Sequence, residues 1–371
     1  MDHRALFSLD PETTFLNHGS YGATPLPVLE AQSIWRARLE AQPVHFMKNV
    51  LPPALSRAKA RAAAFVGADA ADVVFVRNAT SGVNAVLQSL DLRPGDRILT
   101  TSHRYEAVGH TLTHHAARRG LHLDVVPLPV PLPGPELVLE RIAAAITPET
   151  RLLVVDQITS ATALVLPVRR IAALAAAHGC LLLVDGAHAP GHLELDVPRL
   201  GADFWVGNLH KWPCAPKGCA LLWVHPDQQE TMHPAVISNF YGQGFHAEFD
   251  WCGTDDPTPW LCAIDAIDLH ERVFGGAGFR ARNRALAAEA RDLLCTLPGA
   301  RPVAEDPEMT CALGAVVLER PAGDLYARLS AQRFEVPVIP WGEQTIIRVS
   351  AFSAYNHRDQ YAALTEAIRS A

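Results

Sequence analysis

Two ionisable residues stand at the ends of apolar runs in the middle of the chain. Asp185 closes "LLLVD" (181–185), and Lys211 follows "FWVG" within "GNLHKWPCAPKG" (207–218). A charged side chain is costly in apolar surroundings unless it meets an opposite charge, and burial drives a lysine toward its neutral amine. Each residue also has an ordinary explanation. Asp185 can be a structural cap, and Lys211 can begin a loop and reach water along its aliphatic stem.

The segment "NATSG" (78–82) adds a third feature. Its small residues open a helical pattern, so backbone N–H groups can converge there, and Thr80 and Ser81 add hydroxyl donors for a phosphate. The same residues are also ordinary helix caps. In combination, the cradle, the aspartate and the lysine predict pyridoxal 5'-phosphate. Lys211 would hold its aldehyde as a Schiff base, Asp185 would keep its ring nitrogen protonated, and His188 would flank the ring.

The elements that must position these residues alternate along the chain. Short apolar runs predict strands, and alanine-rich stretches between them predict helices; the strand segments are 73–76, 97–101, 123–128, 152–156, 181–185, 204–207 and 220–224. Such spacing indicates a mainly parallel sheet with helices on both faces. Ligands of these sheets bind beyond the carboxyl ends of the strands. "NATSG", Asp185 and Lys211 all follow such ends.

The bulk composition excludes several classes of protein. The 371 residues are 49% hydrophobic and 19% charged, which allows a large core, and the formal charge of -7 with no basic run argues against nucleic-acid or anionic-membrane partners. We expect a cytoplasmic protein, because the start has no apolar signal core and no later segment is apolar enough to span a bilayer. Seven cysteines without a CxxC pair indicate reduced thiols. No metal site is expected, since the His110 and His114 pair lacks a third ligand nearby.

Nearly the whole chain resembles one family. "LNHGSYGATP", "DGAHAPG", "HKW" followed by "AP.G", and "CGTDDPTPWL" are similar to motifs of class V aminotransferase-family proteins of pyridoxal-phosphate fold type I, the group with cysteine desulfurases and isopenicillin N epimerase. The epimerase-like branch is the closest. The resemblance implies a seven-stranded, mostly parallel sheet with helices on both faces and a small C-terminal α+β domain. The expected parts are an N-terminal segment (1–30) contributing to the active site and the small domain, a large cofactor domain (31–262), a connecting helix (263–297) and a small domain (298–371).

The resemblance also assigns residues. Lys211 matches the Schiff-base lysine and Asp185 the partner of the ring nitrogen, while Tyr105 takes the place of the aromatic residue or histidine that stacks on the ring. The remaining cofactor-binding positions implied are Ala79, Thr80, Ser81, Ser160, Asn208 and His210. Ser160 stands where desulfurases have an asparagine, which leaves its contact with the ring hydroxyl open.

The substrate and the second subunit are implied in the same way. Arg348, in "IRVSAFSAYN", matches the arginine that grips the substrate's α-carboxylate, and Asn17, His18 and Gly19 are expected beside it. Thr254 matches a threonine that reaches the phosphate held by the other subunit, which implies a homodimer.

Three readings of the reaction remain open. The first is epimerisation or racemisation at the α-carbon of an amino acid, the second is C–S lysis or desulfurase-like β-elimination on a cysteine derivative, and the third is a non-catalytic pyridoxal-phosphate-fold binding protein. Transamination is a further possibility. The segment 333–348 before Arg348 contains no cysteine, and Cys311 lies in a predicted core strand, so a persulfide on the protein is not expected. Tyr105, His188 and His18 are candidates for the acid opposite Lys211.

Overall fold

The computed structural model describes residues 3–370. Its strands are β1 (Thr14–Phe15), β2 (Val73–Val76), β3 (Arg97–Thr101), β4 (His122–Val126), β5 (Thr150–Asp156), β6 (Leu181–Asp185), β7 (Phe204–Asn208), β8 (Ala220–Val224), β9 (Ala300–Pro302), β10 (Leu313–Leu318), β11 (Phe334–Glu335), β12 (Val338–Trp341) and β13 (Gln344–Ser350).

The helices lie between and around these strands. They are α1 (His18–Tyr21), α2 (Leu26–Ala41), α3 (Pro43–His45), α4 (Leu51–Phe65), α5 (Ala79–Ser89), α6 (Glu106–Arg119), α7 (Pro135–Ala145), α8 (Val168–Ala177), α9 (Phe245–Asp250), α10 (Thr258–Leu261), α11 (Ala263–Asp268), α12 (Gly276–Leu294), α13 (Leu325–Ala331) and α14 (Arg358–Arg369).

A seven-stranded sheet forms the centre of the larger part, in the order β2-β8-β7-β6-β5-β3-β4. All neighbours are parallel except the pairs that involve β8, which runs antiparallel to β2 and β7. Strands β2, β7 and β8 are buried along their whole length, because helices cover both faces of the sheet and apolar side chains are needed on each. The predicted α/β fold with a mostly parallel seven-stranded sheet is therefore confirmed.

The C-terminal part is an antiparallel sheet in the order β12-β13-β10-β9, backed by α12, α13 and α14. The N-terminal segment joins this part, since β1 pairs in parallel with β11. Buried side chains such as Leu16, Leu329 and Tyr361 form the apolar core there. This arrangement brings α1, which follows β1, to the same region as β13.

The helical pattern predicted over 263–297 is not one continuous helix. Helix α11 ends at Asp268, a π-helical turn covers Leu269–Val273, and Gly275 has a φ of 95° before α12 begins at Gly276. A left-handed backbone is cheap for glycine and expensive for other residues, so the "GGAG" segment interrupts the helix. The described residues include no helix with the length and apolar character needed to cross a membrane.

Candidate active site

The site lies at the carboxyl ends of β5, β6 and β7, and one buried tryptophan shapes these ends. Trp205 is fully buried and donates its indole N–H to Gln157 Oε1 at 2.9 Å. A Cβ at Gly186 would come within 2.3 Å of that ring, and one at Gly207 within 2.1 Å. Glycine at both positions lets the chain pass over the indole directly after Asp185 and directly before Asn208.

Lys211 lies in the loop after β7, half-buried, with its Nζ 3.2 Å from His188 Nε2. Burial lowers the pKa of Lys211 from 10.5 to about 8, against the attraction of Asp185, which raises it. Arg348 adds a second, smaller lowering by charge repulsion. The amine therefore exchanges between its charged and neutral forms close to neutral pH.

His18 holds the backbone of the lysine loop. It donates its Nε2–H to the carbonyl of Lys211 at 3.0 Å, and its Nδ1 lies 2.5 Å from the Tyr355 hydroxyl. Its ring stacks on Phe352 with centroids 3.9 Å apart. Both ring nitrogens of His18 are thus engaged within the protein. This differs from the expectation that His18 contacts the substrate or supplies the acid opposite Lys211, because neither nitrogen is left for that contact.

His192 makes a second link to the same loop. Its Nδ1 donates to the His188 carbonyl at 3.1 Å, and its Nε2 accepts the backbone N–H of Ala312 at 2.7 Å. The ring lies against Trp212, with centroids 4.1 Å apart. His18 and His192 thus connect the lysine loop to the C-terminal part of the chain from two sides.

Asp185 and Asp156 are both 3% exposed, and each ends its strand. Burial is the main cause that raises the pKa of Asp185, while the N–H of Ala187, donated to Oδ1 at 2.9 Å, lowers it. Burial and the charge of Asp185 together raise the pKa of Asp156 well above its ordinary value. Asp156 Oδ1 has no hydrogen-bond partner in the described chain.

His188 is 2% exposed and packs beside Lys211. Burial and the nearby positive charges of Lys211 and Arg348 lower its pKa well below the ordinary value, so the ring is neutral at neutral pH. Its Nδ1 lacks a partner among residues 3–370. His188 therefore has a free nitrogen, and its other nitrogen lies against the lysine amine.

The phosphate cradle predicted at 78–82 is the first turn of α5. Asn78 caps the helix by accepting the Ser81 N–H at 2.9 Å, and Asn208 Oδ1 accepts the Ala79 N–H at 2.9 Å. These bonds satisfy two of the N–H groups that a helix start leaves without a partner, and Thr80 lies between them in the first turn of α5. His210 donates from Nδ1 to the Cys219 carbonyl at 3.1 Å, which leaves Nε2 for a phosphate oxygen.

Arg348 is a buried guanidinium, 4% exposed, and its hydrogen-bond partners in the described part of the chain include no carboxylate. It donates through Nη2 to Ser20 Oγ at 2.9 Å and, more weakly, to Asn17 Oδ1 at 3.4 Å. Through Nη1 it donates to the Ser160 carbonyl, and its Nε has no partner. Burial lowers its pKa to about 10, so it stays charged and can receive an anion.

Three predicted residues hold Arg348 or its surroundings. Ser160 meets Arg348 with its carbonyl and hydroxyl, Asn17 accepts from Arg348 and from Ser20, and the Gly19 N–H donates to Ser350 Oγ at 2.9 Å. A Cβ on Gly19 would lie 2.9 Å from a Leu313 methyl, so the residue marks a close approach of α1 to β10.

Tyr105 and Thr254 are at the margins of the site. Tyr105 is 43% exposed at the start of α6, and burial is the main cause that raises the pKa of its hydroxyl. Thr254 is exposed and lines a cavity of about 190 Å³ together with Arg77 and Ser81 of the same chain.

Sequence reasoning missed Asp156 and Ser20. Asp156 ends "LLVVD", which repeats the pattern of "LLLVD" before Asp185, and that repeat was the available signal. Ser20 follows the three predicted residues 17–19, but a lone serine carries no signal for contact with an arginine more than 300 residues away.

Comparisons with known proteins find similarity over most or all of the chain. The model of the family described as aminotransferase class V matches residues 20–313. The isopenicillin N epimerase of Amycolatopsis lactamdurans is 34% identical over 99% of this chain and 97% of its own length. A putative L-cysteine desulfhydrase of rice is 34% identical over 75% of this chain and 62% of its own length. A structure of a C-DES mutant with glycine covalently linked to its pyridoxal-phosphate cofactor superposes with a TM-score of 0.85 at 22% identity, over 100% of this chain and 99% of that one.

Proposed function

The chain belongs to the class V aminotransferase family, and from that premise we propose that it is an epimerase or racemase acting at the α-carbon of an amino-acid substrate. The single observation that carries an amino-acid substrate is Arg348, a buried, charged guanidinium with no carboxylate partner among the described residues. The similarity to an isopenicillin N epimerase extends over nearly the full length of both chains, and this favours epimerisation.

As an enzyme of this family the protein uses pyridoxal 5'-phosphate, and the residues present fit that group. Asp185 has one oxygen held by Ala187 and is buried without a cation bonded to it, as a partner for a protonated ring nitrogen requires. Thr80, in the first turn of α5, and the Nε2 of His210, whose Nδ1 is bonded to the Cys219 carbonyl, are available to a phosphate, and Lys211 is the amine in the loop after β7. When bound, the cofactor supplies an electron sink that makes the α-proton of an amino acid acidic.

Lys211 is proposed as the base on one side of the α-carbon. With its pKa near 8, Nζ can take up a proton and release it again at neutral pH. His188 is neutral and accepts or donates at Nε2, 3.2 Å from Nζ, so it can orient the amine.

Arg348 orients the substrate. Its two η nitrogens already contact Ser20, Asn17 and Ser160, and its unpartnered Nε lies in the same fork. A carboxylate that meets this fork is held in one plane, because the guanidinium presents its donors rigidly. Binding of the α-carboxylate to the Arg348 fork would hold the α-carbon in one position relative to Lys211.

Epimerisation further requires an acid on the side opposite Lys211, and Tyr105 is the residue proposed for it, by elimination of the other two candidates. His18 has both nitrogens engaged, and His188 lies on the side of Lys211. Tyr105 is partly exposed, and its raised pKa keeps the hydroxyl protonated at neutral pH, so it has a proton to give.

C–S lysis of a cysteine derivative is the second candidate, favoured by the similarity to the rice desulfhydrase. Such a reaction would proceed without a protein persulfide. Residues 333–348 include β11, β12 and the first part of β13 and contain no cysteine, and Cys311 is 4% exposed with a pKa raised to about 12 by burial. A non-catalytic binding protein is the weakest reading, since Lys211, Asp185 and Arg348 are all present.

The active unit is proposed to be a homodimer in which Thr254 approaches the phosphate held by the opposite chain. Four large apolar side chains in the loop before α9 are exposed, as expected for a surface that another chain covers; they are Val236 (58%), Ile237 (55%), Phe240 (40%) and Tyr241 (62%). Sedimentation that finds an active monomer at assay concentration would remove this proposal.

A cytoplasmic location remains the prediction made from the sequence.

The test is a screen of L- and D-amino acids, peptides with a free α-amino acid end and cysteine conjugates in deuterated water. Deuterium at the α-carbon together with inversion, and without keto acid or sulfide, supports epimerisation. Sulfide from cysteine, or a thiol from a cysteine conjugate, together with keto acid and without inversion, supports the lyase instead. Lys211→Ala serves as the inactive control, and Lys217→Ala as the matched lysine six residues away.

A further inference from the structure

Asp156 and Asp185 form a pair of buried carboxyls at the bottom of the site. They are directly opposite in the parallel register of β5 and β6, and each is the last residue of its strand. Paired residues of neighbouring strands point to the same face of the sheet, and the strands are about 4.8 Å apart. Both side chains are 3% exposed, so little water reaches either of them.

No cation hydrogen-bonds either carboxyl within residues 3–370. The charge of Lys211 interacts with both aspartates, but its Nζ is hydrogen-bonded to His188 Nε2. Arg348 is engaged with Ser20, Asn17 and Ser160. Asp185 receives the Ala187 N–H, whereas Oδ1 of Asp156 receives nothing.

Two like charges at this distance in a water-poor site do not both ionise at neutral pH, and the pair then shares one proton. The better-solvated partner keeps the charge. Asp185 Oδ1 receives the Ala187 N–H, whereas Asp156 Oδ1 is buried without a donor, and burial together with the charge of Asp185 outweighs the backbone amides of Tyr105 and Ser160 that act on Asp156. Both pKa values are raised, chiefly by burial, and at Asp156 the charge of Asp185 acts in the same direction.

We propose that Asp156 is a neutral carboxylic acid that donates its O–H to Asp185, and that it acts as a positioning residue for the carboxylate that meets the ring nitrogen. This inference rests on the proposed site. The pair then carries a single negative charge, which matches the single positive charge of a protonated ring nitrogen. The positive charge of Arg348 then pairs with the substrate carboxylate, and no further negative charge in the pair requires Lys211 to be protonated.

The other groups that face Asp156 are consistent with one proton on the pair. The backbone amides of Tyr105, from the start of α6, and Ser160, from the loop after β5, lower its pKa, as does Lys211. These contributions are smaller than those of burial and Asp185. His188, the remaining titratable neighbour of Lys211, is neutral and adds no charge.

The experiment measures the proton directly in the cofactor-loaded full-length protein. Infrared difference spectra of wild type against Asp156→Asn should show the C=O stretch of one protonated carboxyl that the variant lacks. The band should persist through about pH 6.5 to 8, far above the range of ordinary aspartates. Asp156→Glu should shift this band without removing it, which assigns the band even if the asparagine variant folds poorly.

Asp203→Asn is the matched control. Asp203 is also a partly buried aspartate with a raised pKa, but it accepts the Leu182 N–H at 2.7 Å and lies before β7, at the other end of the strands. The Asp203 variant should keep the band. If the band is absent from wild type, or is the same in Asp156→Asn, Asp156 is ionised and the proposal is wrong.

A second readout follows the pH dependence of the cofactor's absorption. Asparagine is neutral like the protonated acid, so the midpoint associated with Lys211 should be unchanged within about 0.3 pH units in Asp156→Asn. If Asp156 were ionised in wild type, Asp156→Asn would remove a negative charge that raises the Lys211 pKa, and the midpoint would fall. Asp185→Asn separates the two ideas. An unchanged cofactor spectrum there would refute the proposed ring partner, while the infrared band tests the proton on Asp156 independently.

Discussion

Replacing Gly22 with alanine tests how closely the lysine loop depends on α1. Gly22 ends that helix with φ 69° and ψ 168°, a region that is nearly restricted to glycine. A Cβ there would lie 2.1 Å from the His210 carbonyl oxygen and 3.0 Å from that of Lys211. Backbone oxygens cannot move aside as a flexible side chain can, so the substitution must displace the segment that carries the lysine.

The magnitude follows from comparison with Gly244, which has φ 96° and ψ 167° and nothing within 4 Å of a built Cβ. Backbone strain of about 1–3 kcal/mol is common to both alanine variants. Gly22→Ala adds an overpacking cost of about 1–3 kcal/mol. We therefore expect Gly22→Ala to lose roughly twice the free energy of unfolding that Gly244→Ala loses.

The assays are urea unfolding of the cofactor-loaded variants and the fraction of chains whose cofactor becomes attached to Lys211 on borohydride reduction, read by mass spectrometry. Gly22→Ala should show a lower unfolding midpoint and a lower attached fraction than Gly244→Ala. Equal losses in the two variants would mean that contact with the His210 and Lys211 carbonyls does not position the lysine.

Three further predictions concern the site. Arg348→Lys should raise KM for amino-acid substrates about 10- to 100-fold while cofactor retention is unchanged, because an ammonium replaces a two-pronged contact worth about 1.5–3 kcal/mol; an unchanged KM removes Arg348 from the substrate site. Cofactor uptake by the cofactor-free protein should speed up as pH rises through about 8, because burial lowers the Lys211 pKa to that value and only the neutral amine reacts; a midpoint near the ordinary 10.5 would contradict this. Cys311→Ser should keep most activity, and L-cysteine should leave no persulfide on the protein, because burial keeps that thiol protonated; a trapped persulfide at Cys311 together with lost turnover would restore the desulfurase reading.

The local features of the sequence were sufficient for the fold class and for part of the site. Apolar runs of strand length between helical patterns predict a parallel sheet, and the residues after those runs must gather at one edge because parallel strands end on the same side. Lys211 and Asp185 could be picked out for this reason, since each is a charged residue next to an apolar run. The interruption of the helix at Gly275 was harder to predict, because the helical pattern of the sequence is read across it from 263 to 297.

What only the tertiary structure decided is which distant groups meet. Asp156 and Asp185 became a pair through the register of β5 and β6, and register depends on the packing of the whole sheet. Ser20 reached Arg348 because β1 pairs with β11 and carries α1 toward β13. The role of His18 changed for the same reason: its type suited substrate binding, but Tyr355 and the Lys211 carbonyl occupy both of its nitrogens. Residue type sets the chemistry that a side chain can perform, whereas its partners depend on contacts between segments far apart in the chain.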